Sequence, residues 1–91
     1  MHEVTKRSVA LRLRRVEGQV GGVMRMVEED RYCVDILNQV AAVRAALQKV
    51  EDEILRDHVS HCVGNALTSG DAVQQRQKID ELVETLGRMR R

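Results

Sequence analysis

The chain has 91 residues and a mass of 10.3 kDa, which is the size of one small domain. It contains 43% hydrophobic residues, no Pro, Phe or Trp and a single Tyr, and its net charge is +1. The near absence of aromatic residues excludes the base-stacking surfaces that bind single-stranded nucleic acids. The scarcity of turn residues argues against a β-sandwich, and the apolar content argues against disorder.

No apolar run reaches the ~18 residues of a membrane span, and the basic N-terminus lacks the apolar stretch of a signal peptide. We therefore expect a soluble, cytoplasmic protein that does not enter membranes. One domain is predicted over residues 1–91.

Basic residues are concentrated near the N-terminus. The stretch between Val4 and Val16 holds no acid but carries Lys6, Arg7, Arg12, Arg14 and Arg15. Arginine binds phosphates with two parallel hydrogen bonds, and a basic face on a nearly neutral chain suits DNA. A solvated helix face would have the same composition, so charge alone leaves both interpretations open.

The first predicted element is an amphipathic helix. Its apolar residues recur at alternating steps of four and three: Val9, Leu13, Val16, Val20, Val23 and Val27. Three glycines interrupt this helix at positions where each costs up to ~1 kcal/mol relative to Ala: Gly18, Gly21 and Gly22. We interpret them as points of close approach between helices.

The second predicted element is a long central helix. It repeats the same steps with Ile36, Val40, Val43, Leu47, Val50 and Ile54. Asp30 is its predicted N-cap. If it runs unbroken from about Tyr32 to Leu67, it is roughly 50 Å long at ~1.5 Å per residue. Shorter neighbours cannot cover such a rod, which predicts an oligomer with the long helices side by side.

A third, shorter helix completes the predicted all-α fold. Its apolar positions are Ile79, Leu82, Val83 and Leu86. The turn before it spans residues 68–71, and either Ser69 or Asp71 is its predicted cap.

The candidate metal ligands are Cys33, His58 and Cys62. His58 and Cys62 stand four residues apart and therefore project from one helix face. Cys33 precedes His58 by 25 residues, about 37 Å along the same helix. An antiparallel pair of such helices would bring Cys33 of one protomer beside His58 and Cys62 of the other. The same distance excludes a disulfide within one chain and leaves one between chains possible.

Two thiolates and one imidazole form a soft donor set. Such a set suits Cu(I), with Zn(II) as the main competitor where a fourth ligand is available. On spacing alone, the cysteines could equally be small buried hydrophobes. His61 points away from Cys62 and His2 lies in a terminus predicted to be mobile, so both are left outside the site.

These residues and their flanking segments resemble the copper-sensitive operon repressor (CsoR) family of small helical bacterial repressors. The resemblance covers nearly the whole chain and is carried by RLRRVEGQVGGVMRMVEED, RYCVDILNQVAAVRAALQKV, DHVSHCV and IDELVETL. It implies that Cys33, His58 and Cys62 bind Cu(I) across a dimer interface. It also implies that Tyr32 and Glu81 link the histidine ligand to the third helix.

The resemblance further implies a tetramer, built as a dimer of dimers, that binds double-stranded operator DNA and is released by Cu(I). The genes so derepressed would be copper-resistance genes. Arg12 and Lys49 match basic positions that the family uses for DNA contact. By the charge argument, Arg14 and Arg15 extend that patch.

Other members of the superfamily sense nickel or cobalt, formaldehyde or persulfide. The nickel and cobalt sensors use a histidine where this chain has Cys62, and the formaldehyde sensors lack that cysteine. Persulfide sensors use the two cysteines without the histidine, so His58 favours copper, and a persulfide response through Cys33 and Cys62 is the alternative.

An enzyme is not expected, because the Cys–His pair has no oxyanion loop or orienting acid beside it. A purely structural helical oligomer is the contrasting class, and it would leave the basic helix and the three donors unexplained.

Overall fold

The structure, a computed structural model, describes residues 1–89 and consists of helices in chain order. Arg90 and Arg91 of the predicted domain lie outside the described residues. The helices are α1 (Glu3–Glu28), α2 (Cys33–Asp57), a π-helical segment (His58–Val63), α3 (Gly64–Thr68) and α4 (Ala72–Met89).

The central rod consists of α2, the π-helical segment and α3, which follow one another without a turn. His58 and Gly64, the junction residues, both keep right-handed helical backbone angles. The predicted three-helix all-α fold with a long central helix is therefore confirmed. The sequence did not predict the change to i→i+5 hydrogen bonding within the rod.

The turn between α1 and α2 corrects one predicted cap. Asp30 has a φ of 54° and follows the end of α1, and the Arg31 N–H donates to the carbonyl of Met26 over 2.9 Å. This is the left-handed ending common at helix C-termini, which short polar residues tolerate. Asp30 thus terminates α1, and Tyr32 occupies the N-cap of α2 without a side-chain capping bond.

The cap of α4 agrees with prediction. The Asp71 carboxylate accepts hydrogen bonds from the backbone N–H groups of Val73 and Gln74, at 3.0 and 3.2 Å. Two of the first unpaired donors of α4 are satisfied in this way. Gly70, just before it, has a φ of 77°, a backbone conformation that glycine adopts without strain.

The molecule is one layer of helices rather than a two-layer core. Its principal extents are 58 × 28 × 13 Å, and the thinnest is about one helix diameter. Its radius of gyration is 17.8 Å, against about 12 Å for a compact domain of this length. The buried hydrophobic residues are few: Val9, Val16, Val50, Val63 and Ala66.

Much of the predicted apolar stripe of α2 is open to solvent. Val50 is buried, but Val40, Leu47 and Ile54 are each nearly 40% exposed. These three recur every seven residues, the spacing of a helix-pairing seam. The accessible surface of 7185 Å² also exceeds the roughly 5,400 Å² expected for a compact monomer of this mass. The protomer therefore carries an apolar face that α1 and α4 do not cover.

The three glycines of α1 do not mark close approach within the protomer. A Cβ on Gly18 would meet nothing within 4 Å, and one on Gly21 or Gly22 would meet only the Arg25 side chain at 3.8 Å. Within residues 1–89, the predicted close contact is therefore not observed. None of the described helices is both long and apolar enough to cross a membrane.

Candidate metal centre and basic groove

The two cysteines lie at opposite ends of the central rod. Cys33 is the first residue of α2, Cys62 lies in the π-helical segment, and both thiols are free and exposed. Cys62 follows Cys33 by 29 positions, which span roughly 44 Å of helix. Two cysteines can be bridged only when their Cα atoms are within ~7 Å, so these two cannot form a disulfide within one chain.

His58, Cys62 and Glu81 gather at the C-terminal end of the rod. His58 is the first residue of the π-helical segment, and its side chain is 29% exposed. Its Nε2 lies 3.8 Å from Oε1 of Glu81 on α4. With Nε2 turned towards this carboxylate, Nδ1 is the ring nitrogen left for a metal. We call His58, Cys62 and Glu81 the histidine end.

Tyr32 and Cys33 lie together at the other end, which we call the tyrosine end. Both are exposed, and Tyr32 keeps 70% of its accessible surface. Within one protomer the length of α2 separates Tyr32 from His58 and Glu81. The candidate metal-site residues thus form two separate clusters on a single protomer, one at each end of the rod.

Neither end is a complete metal site. Among residues 1–89, no group of three or more His, Cys, Asp or Glu side chains is placed to hold a metal ion within one protomer. The donor types nevertheless fit a soft ion, because two accessible thiols and an imidazole with a free nitrogen are available. A three-donor site requires the tyrosine end of one chain to meet the histidine end of another.

A buried carboxylate ties the N-terminus to the histidine end. The Asp57 side chain is 5% exposed and accepts a hydrogen bond from the His2 backbone N–H over 3.1 Å. The His2 ring stacks on that of His61, with centroids 5.4 Å apart, and its Nδ1 accepts from the Val4 N–H. The expectation of a mobile terminus at His2 is therefore wrong, because His2 caps α1 and contacts the segment that follows α2.

Asp57 is held in its charged form. Burial by itself raises the pKa of Asp57, but hydrogen bonds from the His2 backbone and Thr5 side chain, with His61 and the N-terminal charge, outweigh it. The net result is a pKa of Asp57 below its ordinary value. The sequence contained one signal for this cluster, the spacing of four between Asp57 and His61.

A basic groove runs between α1 and α2. Arg12, Arg15 and Lys49 line it, and its floor is made of small residues of α2: Ala42, Ala45 and Ala46. The groove continues past Lys49 to Arg56, a basic residue that sequence analysis did not single out. Arg14 is exposed but does not line this groove. Two residues along a helix are about 160° apart around its axis, so Arg14 faces away from Arg12.

Comparisons with known proteins give one consistent family. Residues 5–88 match the family described as metal-sensitive transcriptional repressor. The chain is 51% identical over 79 residues to the copper-sensing transcriptional repressor CsoR of Bacillus subtilis (strain 168). That alignment covers 87% of this chain and 75% of the relative.

Two solved structures share the fold. The copper-sensing repressor CsoR with Cu(I) from Geobacillus thermodenitrificans NG80-2 is 37% identical, with a TM-score of 0.90 over 100% of this chain and 92% of that one. The nickel-responsive transcriptional regulator InrS is 43% identical, with a TM-score of 0.77 over 90% of this chain and 89% of that one.

We expect Asp57→Asn to lower the thermal unfolding midpoint near pH 7. A folded pKa below the ordinary value of 3.8 means that the charged form stabilises the fold above that value. This contribution is lost as the pH falls through the lower folded pKa, so the difference from wild type should shrink as the pH falls from about 5 through 3.8 and below. Thermal melts monitored by circular dichroism at fixed protein concentration measure this difference. Asp52→Asn is the exposed control, and a difference that stays constant with pH would contradict the assignment.

We expect mild oxidation with diamide to yield covalent dimers and no intrachain disulfide, because the rod keeps the two thiols of one chain apart. Antiparallel pairing would join Cys33 of one protomer to Cys62 of the other, so Cys33→Ser and Cys62→Ser should each abolish the cross-link. A mixed dimer of the two variants should recover one bridge. Non-reducing electrophoresis separates these species. A cross-link that persists in either single variant would argue against antiparallel pairing.

Proposed function

Because this chain belongs to the metal-sensitive transcriptional repressor family, a class of regulators rather than enzymes, we propose that it is a Cu(I)-responsive repressor. It binds operator DNA when copper-free and is released when Cu(I) binds, which derepresses copper-resistance genes. The observation that carries this proposal is the division of two thiols and one imidazole between opposite ends of one rod. That division makes metal binding depend on how two protomers are arranged.

The proposed assembly is an antiparallel dimer of central rods, two of which form a tetramer. The exposed seam of Val40, Leu47 and Ile54 supplies an apolar face that a second copy would cover. The excess accessible surface, roughly 1,800 Å² over a compact monomer, is about twice the ~800 Å² that one partner buries in a standard interface. Two different interfaces per protomer, as in a dimer of dimers, account for an excess of this size.

In such a dimer, Cys33 of one protomer and His58 and Cys62 of the partner subunit supply the donors. When bound, Cu(I) supplies bonds that join the two protomers at each site. His58 would use Nδ1 as donor, because its Nε2 faces Glu81. The Glu81 carboxylate would then orient the ring by accepting from its Nε2–H. Tyr32 of the first protomer would lie beside this pair.

The proposed DNA surface is the basic groove between α1 and α2, including its continuation to Arg56. Arg12, Arg15 and Lys49 carry its positive charge, and phosphate contacts from such residues set the position of a protein on duplex DNA. Arg14, on the other side of α1, adds to the field of the same helix rather than to the groove. A repressor acting on operator DNA works where the DNA is, which for a bacterial protein is the cytoplasm.

The ligand assignment draws on relatives and residues together. The Bacillus subtilis and Geobacillus thermodenitrificans relatives are named as copper sensors, and InrS as nickel-responsive. Two thiolates favour Cu(I) over nickel, which prefers nitrogen and oxygen donors. A persulfide response is the second candidate, since both thiols are free and exposed.

We expect one Cu(I) per protomer to weaken operator binding by roughly 5- to 150-fold, the range of typical coupling free energies. The measurement is anaerobic fluorescence anisotropy with a duplex selected from a random pool by the copper-free protein. Cys33→Ala and Cys62→Ala should lose stoichiometric Cu(I) binding, whereas His58→Ala should bind copper more weakly and lose the coupling. His61→Ala is the matched histidine control.

Equal operator affinities with and without Cu(I) would contradict the copper proposal. A loss of affinity that appears only with polysulfide would favour the persulfide response.

We expect charge reversal at Arg12 or Lys49 to abolish operator binding without changing helix content or oligomer size. The milder Arg12→Ala and Lys49→Ala should each reduce the slope of log affinity against log salt by ~0.9 for every phosphate contact removed. Lys78→Glu on α4 is the control for net charge. Salt slopes identical to wild type in both alanine variants would mean that DNA binds another surface.

A further inference from the structure

A single ion pair joins the basic helix to the central rod. Arg12 Nε donates to Oε2 of Glu53 over 2.9 Å, across 41 residues of sequence. Of the ion pairs among residues 1–89, only this one connects α1 to α2. The Glu53 side chain is 26% exposed and that of Arg12 is 42% exposed. Glu53 is therefore the more buried side chain of the pair.

The contact uses only one edge of the guanidinium. Nε carries one of the five N–H donors of arginine, and the other four belong to Nη1 and Nη2. No hydrogen bond among residues 1–89 involves these two nitrogens of Arg12. They form the fork that binds phosphate oxygens with two parallel bonds. A carboxylate on Nε thus fixes the plane of the group and leaves its phosphate-binding edge free.

Holding Arg12 in advance favours DNA binding, because a long side chain loses rotamer entropy when it is immobilised. The negative charge of Glu53 acts in the opposite direction by repelling phosphates. Lys49, one helical turn away, and Arg56 line the same stretch of groove and offset that charge. Arg12, Lys49 and Arg56 outnumber the two carboxylates of this stretch, Asp52 and Glu53, so the groove stays positive there.

We propose that Glu53 is a positioning residue for DNA recognition, which holds Arg12 by Nε so that Nη1 and Nη2 meet a backbone phosphate. This inference rests on the proposed function, because it takes Arg12 as a phosphate contact. Glu53, an acidic residue inside a basic groove, would thus assist the binding of a polyanion. The role depends on an acceptor at Nε and not on the charge of that acceptor.

Four variants of the copper-free protein separate the orienting role from the charge effect, with operator affinity measured by anisotropy over a range of salt concentrations. Glu53→Gln keeps an acceptor for Nε, so its affinity should stay within about twofold of wild type or rise. Glu53→Ala removes the acceptor and should lower affinity roughly three- to tenfold, the range of one net hydrogen bond. Glu53→Asp keeps the charge but shortens the side chain by one methylene, so its carboxylate should not reach Nε. Its affinity should therefore fall as in Glu53→Ala. Asp52→Ala removes a carboxylate from the same groove that does not bond Arg12, and it should not lower affinity.

The Arg12→Ala background makes failure of this inference distinguishable from failure of the proposed function. In that background Glu53→Ala should have no further effect, and the salt slope should already be reduced. If Arg12→Ala leaves affinity and slope unchanged, the DNA surface itself is misassigned.

If Arg12→Ala weakens binding but Glu53→Ala strengthens it or leaves it unchanged, the positioning role is overturned. Equal losses in Glu53→Gln and Glu53→Ala would overturn it as well. If Glu53→Ala fails to fold by circular dichroism, the comparison of Glu53→Asp with Glu53→Gln decides the question in the same way.

Discussion

The length of the central rod fixes where the candidate metal ligands can lie. A straight helical path from Cys33 to Thr68 keeps Cys33 far from His58 and Cys62, however the other helices pack. No movement of α1 or α4 can bring these donors together within one protomer. In the proposed site, metal binding is therefore a property of a pair of chains, and a ligand that joined the pair would act directly on their relative orientation.

The protomer by itself has little core to stabilise it. Five buried hydrophobic residues in a single layer remove little apolar surface from water, while the ordering of each residue costs about 1–2 kcal/mol of backbone entropy. The exposed seam of α2 is one source of additional burial. In the proposed dimer, folding and assembly would consequently be coupled, and a change in how the two rods cross would act on interactions that the fold itself needs.

The basic helix is fastened to the rod at two points. Near its start, the His2 N–H bonds Asp57, immediately before the π-helical segment that carries His58. Near its middle, Arg12 bonds Glu53, one turn earlier on α2. Both attachments lie close to the histidine end. They connect that end of the rod directly to α1, which lines the groove.

The amino-acid sequence was enough to predict the helices, the length of the rod and the separation of the donors, because its apolar residues repeat with the 3.6-residue period of a helix. The Asp71 cap was predictable for the same local reason. Three features could not be predicted from these local patterns. Asp30 ends α1 because the direction of the chain reversal selects its left-handed backbone. The i→i+5 hydrogen bonding of His58–Val63 has no distinctive residue composition or spacing, so no sequence pattern predicts it. The contact of Arg12 with Glu53 depends on how α1 packs on α2, which is a relation between surfaces 41 residues apart in sequence.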